Sequence, residues 1–164
     1  MADCSANGGK YLGRRVLVQV DMKNCSDTYP LEADWKKIAP LTSKDLDFSA
    51  DTVESTADDV SGGYKETYVT FQNAGFSFSG EAKEVYTADE VLQDMIIFRN
   101  AQLADGKQPS MWIKVTTPSL TYTFWVNFTN YSEANPSDAL STFSLSFAAT
   151  GSVLQAKVEK TIAP

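Results

Sequence analysis

Asp45 and Asp47 stand two residues apart on a stretch of alternating polarity, and the pair Asp58-Asp59 follows further along. Carboxylates this close could hold a divalent cation, but they lack a complete calcium-loop spacing, so a solvated acidic face is the simpler reading. Paired carboxylates for glycoside cleavage are set by distance in space rather than in sequence, and no sharper motif accompanies these. Histidine is absent, which removes the commonest general base and zinc ligand together with every Ser–His or Cys–His nucleophile pair. Cys4 and Cys25 are the only cysteines and read as two reduced thiols. Gly8-Gly9 and Gly62-Gly63 are bare pairs with no following Lys-Ser/Thr helix to cradle a phosphate. Trp112, Trp125, Tyr122 and Phe124 could stack on a sugar, although alternation turns Tyr122 and Phe124 towards a core and leaves Trp125 alone on a small polar face. The chain reads as a non-enzyme with no cofactor and no metal.

The elements that position these residues are strands. In Leu46–Val53, Leu46, Phe48 and Ala50 alternate with Asp47, Ser49 and Asp51; in Phe76–Ala82, Phe76 and Phe78 alternate with Ser77, Ser79 and Glu81. In Leu120–Thr129, Leu120, Tyr122, Phe124, Val126 and Phe128 oppose Thr121, Thr123, Trp125, Asn127 and Thr129. In Thr142–Ala149, Phe143, Leu145 and Phe147 oppose Thr142, Ser144, Ser146 and Ala148. A period of two sends one set into a core and the other onto a sheet face. The polar side of all four stretches carries no Lys or Arg. Surfaces normally mix both signs, so this one is suited to not holding a polyanion such as nucleic acid. A solvated face of an ordinary antiparallel sandwich would also be rich in Ser and Thr.

The remaining chain fits around these strands. Residues 1–10 read as a flexible arm, Arg15–Asp21 as a strand, 23–34 as a loop, and Trp35–Ala39 as a short extended piece ended by Pro40. Residues 54–75 read as a long connection that begins acidic, pivots at Gly62-Gly63 and turns aromatic, with room for a hairpin at 64–72. Thr87 and Glu90 form a capping box for a helix over about 88–103, ended at Gly106. Its apolar stripe is Val91, Leu92, Met95, Ile96, Phe98 and Leu103, with Ile97 on the polar side. Met111–Thr117 is a further strand, Asn130–Asp138 a hairpin connection, and residues 153–164 an extended tail. The expected fold is mainly β: a single domain, 1–164, built as a two-sheet antiparallel sandwich or barrel with one flanking helix.

At 164 residues the chain suits one domain with a substantial core. Fourteen Lys plus Arg against 21 Asp plus Glu give −7, which weighs against a protein that grips DNA through phosphates. The first thirty residues hold no apolar run suited to a signal peptide, and no stretch approaches the roughly 20 apolar residues of a membrane span.

The segment LTSKDLDFSADTVESTADDVSGGYKETYVTFQNAGFSFSGEA (41–82), then a helix, then FSLSFAATGSV (143–153), resembles the major tail tube proteins of long-tailed, non-contractile bacteriophages. The ordered set runs over about residues 11–155. The resemblance implies a β-sandwich with a helix, hexameric rings that stack into a hollow tube, and a bore lined by a closed barrel of twenty-four strands. It implies that genomic DNA passes through without specific binding, and that the partners are other copies of the chain, a tape measure protein, and tail terminator and distal tail proteins. It places the protein in the virion tail after synthesis in the host cytoplasm. Asp47, Ser49, Asp51, Ser77, Ser79, Glu81, Thr121, Thr123, Asn127, Ser144 and Ser146 are the expected bore residues. Glu54, Asp58, Asp59, Gly62, Gly63, Tyr64, Tyr68, Phe71, Lys157 and Lys160 are the expected contacts between subunits or rings. A carbohydrate-binding or adhesive sandwich module on a virion is the other reading.

Overall fold

The computed structural model describes residues 12–55, 66–151 and 156–161. Among them, eight strands form one antiparallel sheet: β1 (Leu17–Asp21), β2 (Lys36–Lys37), β3 (Ser43–Ser55), β4 (Glu66–Glu81), β5 (Ser110–Thr116), β6 (Leu120–Ala134), β7 (Thr142–Ala149) and β8 (Lys157–Lys160). The order is β2-β1-β5-β6-β7-β4-β3, with β8 added to β6. The helix, α1 (Leu92–Ala104), joins β4 to β5.

The expected mainly β fold with one flanking helix is present, and one curled sheet of eight strands supplies its layers. The reason lies in β6, whose 15 residues serve two neighbourhoods: 121–127 pair with β5, and 126–134 pair with β7. Phe48 on β3 stacks on Tyr122 of β6 with ring centroids 5.3 Å apart, and Phe124 is 5.8 Å away. Two strands separate β3 from β6, so a flat sheet would hold them about 14 Å apart. The ring contacts require the sheet to wrap onto its own apolar face. Phe76, Phe78, Phe128, Phe143, Leu145 and Phe147 fill the wrapped half, and Val18, Val20, Met111, Ile113 and Val115 continue the same core.

The helix begins at Leu92, later than the capping box suggests. Glu90 bridges Lys37 in parallel, and the N–H groups of Val91 and Leu92 donate to the carbonyls of Lys37 and Ile38 at 2.9 and 3.0 Å. Residues 90–91 are therefore held against β2, and those carbonyls satisfy two of the donors at the start of the helix. Thr87 and Glu90 still close a turn, with Thr87 Oγ1 donating to the Glu90 carboxylate at 3.2 Å. At the other end Gly106, at φ 72°, sits in the left-handed region, and Lys107 N–H reaches back to Gln102 O at 2.8 Å, a Schellman ending. Leu92 and Met95 are buried, while Leu103 in the last turn and Ile97 are exposed.

The outer face of β5 is covered as well. Trp112 is wholly buried beneath the 22–35 segment, with Tyr29 4.9 Å from its ring and its indole N–H donating to Cys25 O at 3.0 Å. Asn24 Nδ2 organises that segment by donating to both Asp21 (2.7 Å) and Asp34 (3.1 Å). The Leu31 N–H and then the Asn24 amide hold the Asp34 carboxyl below the usual aspartate range. Trp112 is thereby removed from any sugar platform. Cys25 is an exposed free thiol, and Cys4 lies outside the described residues.

A bulge between Phe128 and Asn130 breaks the β6–β7 register. Arg99 on α1 caps the interrupted ladder, donating from Nε to Phe128 O (3.3 Å) and from Nη2 to Thr129 O (3.2 Å) over the Phe128 ring. Replacing Arg99 by Ala should lower stability by about 1–2 kcal/mol, read as a shifted urea midpoint; an unchanged midpoint would mean water serves both carbonyls equally well. Gly80 lies where a Cβ would meet Pro40 O at 2.6 Å and the Phe143 ring at 2.8 Å. A Gly80→Ala substitution should therefore cost about 1–3 kcal/mol in the same assay, and a neutral result would show that the Pro40 backbone yields freely.

Candidate functional site

The four alternating stretches fall on β3, β4, β7 and β6, and their register aligns the polar side chains in rows across the sheet. Asp45 faces Ser77, which faces Ser146, which faces Asn130. The next row is Ser43, Ser79, Ser144 and Ser132, and the row on the other side is Asp47, Gly75, Ala148 and Asn127. Glu81 and Thr142 begin a fourth row that ends at Ala134. The reverse sides of these strands bury Phe76, Phe78, Phe143, Leu145 and Phe147. Small hydroxyls, carboxylates and alanines therefore share one open face, and none of the described residues in these rows is Lys or Arg.

Asp47, Ser77, Ser79, Glu81, Asn127, Ser144 and Ser146 all belong to this face, and Ser49 and Asp51 extend it along β3 opposite Asn73 and Phe71. Thr121 and Thr123 do not join the rows. They lie where β6 pairs with β5 and β8; Thr123 stands across from Lys114 and Lys157 and is buried. The cation-free face is thus confined to the far half of β6. The bulge is also why Asn130 and Ser132 enter the face although period-two counting assigns that side to Thr129: one extra residue inverts the alternation. Thr129 instead turns its hydroxyl onto Ser146 O at 3.0 Å. Nothing in the sequence flags the bulge beyond the polar run that follows Phe128.

Residues 54–75 are not one long connection. Glu54 and Ser55 end β3, and Glu66 to Gly75 begin β4, which pairs with β3 back to Ser55↔Glu66. Alternation fails as a signal here because both faces of this ribbon lie open. Among the described residues only β3 pairs with the first nine residues of β4, so the hairpin projects beyond β7. Tyr68, Val69 and Phe71 on it are exposed, Phe71 at 70%. Asp58, Asp59, Gly62, Gly63 and Tyr64 lie outside the described residues. The tail is likewise partly a strand: Lys157 and Lys160 belong to β8, paired to Thr123 and Leu120.

Between the hairpin and the β6–β8 edge lies a groove of about 1010 Å³, lined by Phe48, Val69, Phe71, Tyr122, Trp125 and Val158 among others. A two-stranded ribbon exposing apolar side chains on both faces is marginal alone and marks an interaction surface. Among the described residues the four-stranded polar face is bounded by two open strand edges: the outer side of β3 and, past the end of β5, the outer side of β6 from about residue 130. Each presents backbone donors and acceptors to a further strand. Among the described residues, no cluster of His, Cys, Asp and Glu could hold a metal ion, and no helix is long and apolar enough to cross a membrane.

The fold has known counterparts. The tail of an empty gene transfer agent particle, refined with C6 symmetry, matches with a TM-score of 0.66 at 18% identity, covering 93% of this chain and 100% of that one. The SPP1 tail tube matches with a TM-score of 0.58 at 10% identity, covering 94% of this chain and 81% of that one. A sheath/tube terminator of an extracellular contractile injection system matches with a TM-score of 0.58 at 16% identity, covering 94% and 99%. No curated protein sequence matches. The family model described as "Phage tail tube protein" matches residues 11–155. With that match spanning nearly the whole chain, the protein belongs to the phage tail tube family, a structural family of the virion tail.

Proposed function

We propose that six copies of this chain close into a ring, that rings stack into a tube, and that the cation-free face of β3, β4, β7 and β6 lines the bore. The observation that carries this reading is the four-stranded acid-and-hydroxyl face bounded by two open strand edges. Closing a barrel between subunits pairs the β3 edge of one copy with the free β6 edge of the next and so removes both. The same pairing seats the projecting hairpin against a neighbour, where Phe48, Tyr68, Val69 and Phe71 lose their exposure to water.

Ejection follows from the electrostatics of that wall. Phosphate meets Asp45, Asp47, Asp51 and Glu81 among hydroxyls, with no cation in the rows to hold it, so DNA passes without pausing at bound states. Small side chains keep the passage wide. The same wall accommodates a tape measure protein during assembly, and the tube ends present the contact surfaces for terminator and distal tail proteins. The 54–66 segment, the N-terminal arm and the tail with Lys157 and Lys160 supply contacts between rings. Synthesis in the host cytoplasm precedes incorporation into the virion.

The test is to line the passage with cations. Tubes of an Asp47→Lys/Glu81→Lys variant should assemble at normal width, retain duplex DNA at low salt, and release it with a log–log salt slope steeper by roughly 0.9 for each additional phosphate neutralised. Phage carrying the variant should package DNA but deliver it poorly. Variant tubes that bind no DNA and deliver genomes at the parental rate would contradict the proposed wall.

A further inference from the structure

The two open edges carry opposite charges on their core sides. On β6, Tyr131 and Glu133 stand across from the buried Leu145 and Phe143 and so share the core side, whereas Asn130, Ser132 and Ala134 lie on the polar side. The Tyr131 hydroxyl donates to the Glu133 carboxylate. Burial, and then that carboxylate, hold the hydroxyl above the ordinary tyrosine range, so it remains a donor. The tyrosine orients the glutamate and leaves it anionic. Among the described residues no Lys or Arg forms an ion pair with it. On β3, Lys44 and Leu46 stand across from the buried Phe78 and Phe76 on the core side, with Ser43, Asp45 and Asp47 on the polar side. Lys44 donates from Nζ to Gly13 O at 3.2 Å, and among the described residues no carboxylate pairs with it. Glu90 lines the same pocket as Lys44, but its carboxylate is held by Lys83 Nζ at 3.0 and 3.1 Å.

Strand direction and side-chain parity restrict how these edges can meet. The pairs β6–β7, β7–β4 and β4–β3 are all antiparallel, so β3 of one copy runs antiparallel to β6 of the next when the sheet continues between copies. A slip of one residue would turn the Asp45 row towards the core, so the register can change only in steps of two. Level continuation of the rows would set Asp45 across from Asn130 and Lys44 across from Tyr131. Closing strands into a barrel requires a stagger. A stagger of two residues sets Lys44 across from Glu133 and Leu46 across from Tyr131. On the polar side it sets Asp45 across from Ser132 and Asp47 across from Asn130, so no carboxylate meets another. Opposite charges directly across a strand pair favour that pairing, and like charges disfavour theirs.

We propose that neighbouring copies within a ring join in this staggered register, selected by an ion pair between Lys44 of one copy and Glu133 of the next. Tyr131 orients the carboxylate and packs on Leu46 of the neighbour. The inference rests on the tube reading and gives its lateral contact a register. Backbone pairing and apolar contact supply most of the affinity, while the ion pair rejects the other registers.

Engineered thiols and a charge swap test it. Directly opposed Cβ atoms lie about 4.5–5.5 Å apart and diagonal ones about 7–8 Å, against the roughly 3.5–4.5 Å of a disulfide. With Cys4 and Cys25 replaced by Ser, tubes of Asp45→Cys/Ser132→Cys chains should oxidise to covalent oligomers up to the hexamer on a non-reducing denaturing gel. Tubes of Asp45→Cys/Asn130→Cys chains should run as monomers. Lys44→Glu and Glu133→Lys should each raise the protein concentration needed for rings about tenfold, followed by negative-stain microscopy and sedimentation. Combining them should return it to within about threefold of the parent, which a merely misfolded variant would not do. Tubes linked through residue 130 or through neither position would overturn the register while leaving the tube reading intact. So would single charge variants at the parental threshold, or a combination as defective as the singles. A parent chain that forms no rings or tubes under any condition would instead overturn the tube reading itself.

Discussion

The four-stranded polar face ends in two open edges, the outer side of β3 and the far half of β6, and the proposed assembly depends on those two edges. Natural proteins blunt such edges with bulges, inward-pointing charges or covering loops, because an open edge recruits another chain. Here β3 runs 13 residues as one long edge and carries carboxylates on its open face. Like-charged faces discourage indiscriminate stacking face to face, whereas edge pairing remains available. On the proposed reading, the same residues that weaken face-to-face association leave edge pairing as the route to a ring.

The curl of the sheet makes that edge usable. Phe48, Phe76, Tyr122 and Phe124 draw β3 and β6 together across the core, which bends the four polar strands into an arc. The Arg99 clamp on the β6 bulge then occupies the carbonyls where β6 parts from β5. An aromatic cluster and one helical arginine thus fix the curvature of the sheet between its β3 and β6 edges. Gly80 allows the close approach of β4 to Pro40 and Phe143, fixing the base of the hairpin from which the projecting ribbon extends.

Much of this is legible in the chain, and the parts that are not share one cause. Strands β3, β4, β6 and β7 can be read because one side meets a core and the other meets water, the condition under which period two appears. Where that condition fails, so does the signal. The outer part of the hairpin, Glu54–Ser55 and Glu66–Gly75, lies open on both sides, so its sequence looks like a connection. Strand β5 is legible as a strand, but the 22–35 segment that covers Trp112 carries no pattern that would reveal it. The β6 bulge shifts the phase by one residue, admitting Asn130 and Ser132 to the face in place of Thr129. Thr121 and Thr123 keep the right phase but meet β8, a short strand whose sequence looks like tail. The helix cap is present as a turn, yet contact with β2 decides where the helix can begin.

A subunit-resolved reconstruction of assembled tubes tests the central claim most directly. The β3 edge of each copy should lie within hydrogen-bonding distance of the β6 edge of its neighbour, with Asp45, Asp47 and Glu81 facing the passage. Tubes whose bore is crowded by lysines and arginines, or whose acidic rows face outward, would contradict it.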